Sequence, residues 1–215
     1  MNLTIMPDQN KVVCFAHEWT EREINENQAQ SIFIPAGKTP IGLYQHWERN
    51  RPAYLERVKL LQIDEVITGP QKGVFKTFFR QYLPTYFKNI QWIGEQENVA
   101  DLAILGLGKN GHIAFHEPGL PHDFTMGCVK LDQTTCKNLK AGKNAWGHTY
   151  GLGALMKCKK ILMIVLGENK NKILERLLSR DPLVPAVQLL EHPGFEIVCD
   201  KSAYDLTKDD GFHKE

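Results

Sequence analysis

The chain has 215 residues, of which 42% are hydrophobic and 24% are charged, and its formal net charge is +1. This length suits one substantial domain, and the near-neutral charge gives no reason to expect nucleic acid or an anionic membrane as a partner. The sequence has no apolar run near the length of about 20 residues that a membrane span needs, and its start lacks the pattern of a signal peptide.

The five cysteines are scattered, and none forms a Cys-x-x-Cys pair. This pattern favours free thiols in a reducing compartment over a disulfide framework or a zinc site. We therefore expect a cytoplasmic protein.

Strands alternate with helices in the first half of the chain. Asp8 is a candidate N-cap for a helix that carries apolar residues at helical spacing, up to Trp19 and beyond. Thr39 is predicted to cap a second helix, with Pro40 as its first residue. Strands are predicted at 3–6, 31–34, 58–63 and 89–93, and helices at 9–31, from 40 through 47, and at 74–87.

The second half continues the alternation. Strands are predicted at 102–105, 128–131, 161–166 and 195–199, and helices at 146–156, from 171 through 178, and at 186–191. The polar tail, residues 201–215, is expected to fray. The alternation predicts the α/β fold class: a three-layer α/β/α sandwich around a mostly parallel, Rossmann-like sheet, formed by residues 1–215 as a single domain.

Residues 101–119 hold most of the groups capable of chemistry. An apolar run at 102–105 predicts a buried strand, and ligands of open α/β sheets bind at the carboxyl end of such strands. His112 lies between glycines, so we expect an exposed imidazole that moves protons near neutral pH. Glu117 is the nearest acid able to orient it. The loop contains Gly106, Gly108, Asn110, Gly111, His112, His116 and Glu117.

The sequence disfavours three other kinds of site at these motifs: a dinucleotide site, a metal site and a nucleotide P-loop. The glycines at 106, 108 and 111 spell a dinucleotide fingerprint, but the acidic residue expected about 20 positions later is missing. His112 and His116 are spaced for a metal on a helix, yet Pro118 would end that helix and a third ligand is not evident. A nucleotide P-loop around Gly37 would need glycine where Ile32 stands. We therefore expect no metal.

Two strand-to-helix loops are built like phosphate sites. In the first, Gly37, Lys38 and Thr39 precede a helix whose backbone N–H groups and dipole would face an anion. In the second, Lys170 lies in the first helical turn, where a cation needs an anionic partner. For the first loop a phosphate site and a well-capped helix with a solvent lysine are equally good interpretations, whereas for the Lys170 loop alone a solvated lysine is the simpler one. Two such loops in one sheet favour a shared phosphate. Asp64, just past a buried strand, is either a catalytic carboxylate or a cap.

The order of these motifs resembles the superfamily of glucosamine-6-phosphate deaminases and 6-phosphogluconolactonases. The matching segments are PAGKTPIGLY (35–44), DE (64–65), LGLGKNGHIAFHEPG (105–119), GLG (151–153), VLGENK (165–170) and VCD (198–200). They occur in family order and cover nearly the whole chain. The IAF-x-EP ending of the central motif is similar to the deaminase branch, because lactonases usually carry TASLFP there.

The resemblance implies a sugar-phosphate enzyme that turns a hexosamine 6-phosphate into fructose 6-phosphate and ammonia without a cofactor. Asp64 would match the base that moves a proton between C2 and C1, and His112 the ring-opening acid–base group, supported by Glu117. Gly37, Lys38, Thr39 and Lys170 would match the phosphate cradle. Lactone hydrolysis, with His112 activating water, is the alternative, and a non-catalytic sugar-phosphate sensor is a further one. The oligomeric state is left open.

Three departures from the family pattern accompany the resemblance. Asn110 stands where the family has an acid, and an amide cannot balance the charge of an imidazolium, so we expect His112 to be less often protonated and its role as an acid to weaken. Cys136 stands near the position of a phosphate-binding arginine. The connector between Ile93 and Asp101 is short, so a helix that helps to cover the site is expected to be missing.

Overall fold

In a computed structural model, residues 1–94 and 97–205 are described, and within these ranges strands and helices alternate along most of the chain. Residues 206–215, most of the tail expected to fray, and residues 95–96 of the short connector lie outside them. The start of that tail, Lys201–Tyr204, is helical, so the expectation of fraying is wrong there. The strands are β1 (Asn2–Met6), β2 (Ser31–Ile34), β3 (Lys59–Gln62), β4 (Asp64–Val66), β5 (Ile90–Gln91), β6 (Leu102–Gly106), β7 (Met126–Lys130), β8 (Trp146–Tyr150), β9 (Lys160–Val165) and β10 (Phe195–Asp200). The α-helices are α1 (Gln9–Glu26), α2 (Ile41–Asn50), α3 (Val74–Tyr82), α4 (Gln133–Leu139), α5 (Leu152–Leu155), α6 (Asn171–Leu178) and α7 (Lys201–Tyr204). Short 3₁₀ turns include Glu168–Lys170 and Pro185–Glu191.

Seven strands form one sheet in the order β1-β10-β9-β6-β2-β3-β5, and each neighbouring pair is parallel. The chain winds from β2 toward β5 on one side and from β6 through β9 toward β1 on the other. The switch point therefore lies beside β6, where ligands of such folds bind.

Both faces of this sheet are buried. Alternate residues of β2 show the arrangement, because Ile32 and Ile34 pack with α1, α2 and α3 while Phe33 packs with α5 and α6 on the opposite face. Two apolar faces covered by helices make the three-layer α/β sandwich that the alternation predicts. The predicted fold class is confirmed.

A second sheet, of three antiparallel strands in the order β4-β8-β7, was not expected from the sequence. The segment 146–156 was predicted to be a helix, and this prediction is wrong: its first half is strand β8. β8 pairs with β4 on one side and β7 on the other, and the close approach of the Phe115 ring to Gly147 leaves no room for a side chain there. Pairing with distant strands outweighs the local helical pattern.

Some element boundaries also differ from the prediction, and one helix was missed. Helix α2 begins at Ile41 with Pro40 as its N-cap, so the prediction that Thr39 caps it is wrong. Helix α3 ends at Tyr82, because Pro84 disfavours helical conformation in the residue before it. Helix α4 was missed, although Asp132 caps it with a hydrogen bond from the backbone N–H of Thr134 (2.7 Å). Asp8 caps α1 as predicted.

Within the described parts of the chain, none of the helices combines the length and the apolar character that crossing a bilayer requires.

Candidate active site

The predicted site residues come from loops that follow neighbouring strands. The Gly37 loop follows β2, the Gly106–Gly111 loop follows β6 and the Gly167 loop follows β9, and these three strands are adjacent. Parallel strands place their carboxyl ends at one edge, so the sheet brings the three loops together there.

The loop after β6 holds a compact acid–base group. Nδ1 of His112 lies 3.2 Å from Oε2 of Glu117. The side-chain amide of Asn110 donates to the same Oε2 at 3.0 Å, while its carbonyl oxygen accepts from the backbone N–H of His112 at 3.3 Å. Glu117 is therefore placed to balance a positive charge on His112, and Asn110 holds both residues in place.

Glu117 is buried and favours its ionised form. Burial by itself raises the pKa of this carboxyl, but the hydrogen bonds and charge of His112 and the hydrogen bonds of Thr135 and Asn110 outweigh it, so the pKa is lowered. The Thr135 hydroxyl also lies 3.4 Å from His112 Nδ1. A carboxylate held ionised can stabilise an imidazolium, which is the task that the family pattern gives to an acid at position 110.

Glycine is required at position 108 because the imidazole packs directly against it. A Cβ atom placed on Gly108 would lie 2.5 Å from both Cδ2 and Nε2 of His112. The backbone of Gly108 also donates to the carbonyl oxygen of His112 at 2.9 Å. The ring and the loop are thus fitted to each other.

His116 makes contacts of its own, separate from those of His112. The residues lie in an irregular loop, and the buried His116 accepts the backbone N–H of Leu152 at Nδ1 (3.2 Å). Burial, followed by the charge of His122, lowers the pKa of His116 to about 4. A neutral imidazole at this position supports the turn structurally.

Asp64 is a buried carboxyl at the start of β4. Burial raises its pKa well above the ordinary value, and the charge of Glu65 adds to the effect. Its partner across β4 and β8 is Thr149, whose hydroxyl accepts the backbone N–H of Phe115 at 3.1 Å. Asp64 is therefore tied to the loop that carries His112, and its raised pKa suits a proton acceptor.

Lys170 lies against the same loop. Its Nζ donates to the carbonyl oxygen of Leu107 at 2.5 Å, and burial, followed by the charge of Lys109, lowers its pKa. Asp200 fixes the start of the Lys170 turn, since its carboxylate accepts the backbone N–H of Gly167 at 3.0 Å. Two lysines near each other at the edge of the sheet are an arrangement that a phosphate dianion would stabilise.

The Gly37 loop approaches the site from the other side of β6. Gly37 has a left-handed backbone with φ of 106°, and Lys38 is exposed. The side chain of Thr39 packs on Gly106, where an added Cβ would lie 3.3 Å from its Oγ1. Thr39 thus contacts the central loop instead of capping α2.

Sequence reasoning missed Thr135 and Thr149 and gave Asp200 no role. Thr135 lies on the unpredicted helix α4, and Thr149 on a strand predicted to be helix. The cap formed by Asp132 was a local signal for α4, and recognising it would have brought Thr135 into consideration.

These observations describe an α/β protein with a histidine–glutamate pair and two lysines at the carboxyl edge of a parallel sheet. A sequence model described as glucosamine-6-phosphate isomerases/6-phosphogluconolactonase matches residues 76–197. The chain belongs to this family.

Individual relatives agree with this assignment. Glucosamine-6-phosphate deaminases of Bacillus thuringiensis (strain Al Hakam) and Bacillus cereus (strain AH820) are each 26% identical to the chain, covering 96% of it and 89% of the relative. Among solved structures, a monomeric glucosamine-6-phosphate deaminase has a TM-score of 0.78 at 19% identity, covering 94% of this chain and 98% of its own. The 6-phosphogluconolactonase of Leishmania guyanensis has a TM-score of 0.77 at 16% identity, with 95% and 97% covered. The structures show the shared fold.

Proposed function

We propose that the chain converts glucosamine 6-phosphate, or a related hexosamine 6-phosphate, to a ketose 6-phosphate and ammonia. The observation that carries the proposal is the His112–Glu117 pair, 3.2 Å apart, on a loop tied to the buried carboxyl of Asp64. Full-length similarity to curated glucosamine-6-phosphate deaminases supports it.

His112 and Asp64 are proposed to catalyse different steps of the reaction. His112, with Glu117 as counter-charge, moves the proton that opens the sugar ring. Asp64 takes the proton from C2 of the open chain and delivers it to C1, which converts the C2 amine to an imine. Water then adds to C2, and the C–N bond breaks to release ammonia and leave the ketone. Proton transfer by positioned side chains is sufficient for this isomerisation.

The phosphate is assigned to the cradle formed by Gly37, Lys38, Thr39 and Lys170. The support is their position at the ends of β2 and β9 on either side of the catalytic loop. Lys170 is half-buried and Lys38 exposed, so Lys170 should contribute more, because a charged hydrogen bond is stronger where water is excluded.

Lactone hydrolysis is the second candidate, because solved 6-phosphogluconolactonases share the fold as closely as the deaminase does. In that reaction His112 would activate water. A non-catalytic sensor is less well supported, since Glu117 supplies the counter-charge that Asn110 lacks. Release of ammonia from glucosamine 6-phosphate separates the three: a deaminase releases it, a lactonase instead consumes 6-phosphogluconolactone, and a sensor binds without turnover.

Replacement of Lys170 by alanine should raise KM for the sugar phosphate. Loss of a hydrogen bond to a charged group costs about 1.5–3 kcal/mol, which corresponds to roughly a 10- to 150-fold higher KM. Lys59→Ala is the matched control, because Lys59 is an exposed lysine at the amino end of β3, on the opposite edge of the sheet. Steady-state kinetics on both variants check the prediction, and an unchanged KM in Lys170→Ala would place the phosphate elsewhere.

Replacement of Gly108 by alanine should reduce turnover without unfolding the protein. The new methyl group forces the His112 ring to move, and a displacement of about 1 Å at a catalytic group can cost about 100-fold in rate. Gly94→Ala serves as control, since a Cβ there would meet its nearest neighbour at 3.8 Å. Wild-type turnover in Gly108→Ala would contradict the fitted contact between the ring and the loop.

The single domain, the cytoplasmic location and the lack of nucleic acid and membrane partners remain predictions of the sequence. The small-molecule partner is proposed to be the sugar phosphate itself.

A further inference from the structure

Glu65, the neighbour of the proposed base, has a heavily hydrogen-bonded carboxylate. Successive side chains of a strand point to opposite faces, so Glu65 faces away from the side on which Asp64 lies. Its two oxygens accept four hydrogen bonds, from the backbone N–H groups of Val66 (2.8 Å), Phe75 (3.0 Å) and Lys76 (2.8 Å) and from the side-chain amide of Gln62 (3.1 Å).

Two of these donors belong to the first turn of helix α3. The helix begins at Val74 after Gly73, which is left-handed (φ 75°) and has no side chain with which to cap the turn. The N–H groups of a first turn lack partners within their helix, and a negative charge there also interacts favourably with the helix dipole. Glu65 supplies both the acceptors and the charge, so it binds α3 to strand β4.

Helix α3 in turn contacts the loop that carries His112. The ring of Phe75 stacks on that of Phe115, with centroids 5.6 Å apart and planes inclined by 26°. Phe115 donates its backbone N–H to Thr149, which pairs with Asp64 across β4 and β8. The contacts close a ring that runs from Asp64 through Glu65, Phe75, Phe115 and Thr149 back to Asp64.

We propose that Glu65 is a positioning residue, which sets the placement of Asp64 relative to the His112–Glu117 loop by holding β4 and α3 together. The roles of Asp64 and His112 are those of the proposed function, and to that extent the inference rests on it. Glu65 touches neither the substrate nor the transferred proton; it acts through the ring of contacts.

The charge of Glu65 has a separate effect on Asp64. It raises the pKa of that carboxyl in addition to burial, because a second negative charge nearby disfavours ionisation. Titratable groups near the two carboxyls include Tyr44 on α2 and His148 on β8, opposite Glu65. The pKa of His148 is lowered by burial, and the Lys76 ammonium on α3 lies over the Trp92 ring, 5.0 Å from its centroid.

Two substitutions of Glu65 distinguish its hydrogen-bonding role in positioning β4 and α3 from the effect of its charge on Asp64. Glu65→Gln removes the charge and turns an NH₂ group toward N–H donors, so kcat should fall and the acid limb of the pH–rate profile should move to lower pH. The sign follows because Asp64 must be ionised to accept a proton, and its pKa falls when the neighbouring charge is removed. Glu65→Asp keeps the charge but shortens the reach, so kcat should fall while the acid limb stays in place.

Glu48→Gln is the matched control. Glu48 also accepts a backbone N–H and a hydroxyl, both from Thr85 (3.0 and 2.7 Å), but it lies on α2 outside the ring of contacts. We expect it to keep wild-type kcat and pH profile. We expect KM to stay near wild type in all three variants, because the phosphate cradle is elsewhere, and a kcat fall of about tenfold or more in both Glu65 variants, since small misplacements are costly. Wild-type kcat in Glu65→Asp would overturn the positioning role.

The inference can fail independently of the proposed function. Carbon-13 NMR titration of the Asp64 carboxyl in the wild type and in Glu65→Gln needs no turnover. A lower Asp64 pKa in the variant, together with shifted resonances of the Phe115 and His112 rings, supports the ring of contacts even if hexosamine 6-phosphates are not converted. An unchanged Asp64 titration together with unchanged resonances of the Phe115 and His112 side chains would overturn the positioning role of Glu65, even if hexosamine 6-phosphates are converted.

Discussion

Replacing Asp64 by asparagine should abolish isomerisation and deamination while leaving binding of the sugar phosphate intact. General-base catalysis by a positioned group contributes about 100- to 10,000-fold, and asparagine has the same shape but no basic oxygen. Ammonia release and exchange of the C2 hydrogen with solvent should both be lost. Calorimetric affinity for the substrate should be retained, because the lysines of the cradle are untouched.

The same substitution should stabilise the fold near neutral pH. The pKa of Asp64 is raised in the folded state by burial and by Glu65, so the folded protein prefers the protonated form. Stability is therefore lost as the pH rises from the unfolded pKa of a carboxyl through the raised folded one, and asparagine removes that loss. A base kept at a cost in stability is typical of active sites.

Asp101→Asn is the matched control for Asp64→Asn. Asp101 lies at the amino edge of the sheet, where burial opposes ionisation but the hydrogen bonds from Lys159, the Gln30 backbone and Ser31 and the charge of Lys159 outweigh it and lower its pKa. That stabilisation is present above the unfolded pKa and disappears as the pH falls through the lowered one. The control should lose stability and keep activity; full activity in Asp64→Asn would remove Asp64 as the base.

His112 and Glu117 should behave as one unit. We expect His112→Asn to reduce turnover by about 100- to 10,000-fold, the range of general acid–base catalysis, and Glu117→Gln to approach the same loss. Because each side chain works through the 3.2 Å contact, the double variant should be little worse than His112→Asn alone.

The matched control for this pair is His122→Asn, since His122 is an exposed histidine on the same segment. Turnover and thermal unfolding are measured for the two single variants, the double variant and the control. The wild type and the first three form the double-mutant cycle. Multiplicative losses in the double variant would show that Glu117 acts separately from His112, and turnover undiminished in His112→Asn would remove the acid–base role.

The pattern of apolar residues correctly predicted the elements whose apolar residues are buried where the pattern places them. Strand β2 was predicted at its observed bounds, Ser31–Ile34, because its apolar residues face helices on both sides of the sheet. Strand β8 was missed because Trp146–Tyr150 becomes a strand through pairing with β4 and β7, which come from distant parts of the chain. The second sheet was not predicted for the same reason, because it forms only through the pairing of β8 with β4 and β7.

The candidate site divides in the same way. His112, Asn110 and Glu117 lie within eight residues, so one loop of sequence was enough to single them out. Thr149 and Asp200 reach the site through packing, and their neighbours in sequence give little indication of it, whereas the Asp132 cap was a local signal that would have led to Thr135. We expected Asn110 to weaken the role of His112 as an acid. In the structure, the Asn110 amide instead orients Glu117, because it binds the same carboxylate oxygen that contacts the imidazole.

The most direct measurement is the reaction of the purified chain with glucosamine 6-phosphate, with ammonia and fructose 6-phosphate assayed together and 6-phosphogluconolactone as the comparison substrate. The proposed function predicts ammonia and fructose 6-phosphate in equal amounts, dependent on Asp64, and lactone loss at the uncatalysed rate. Accelerated lactone loss without ammonia, or tight binding of the sugar phosphate without turnover, would contradict it.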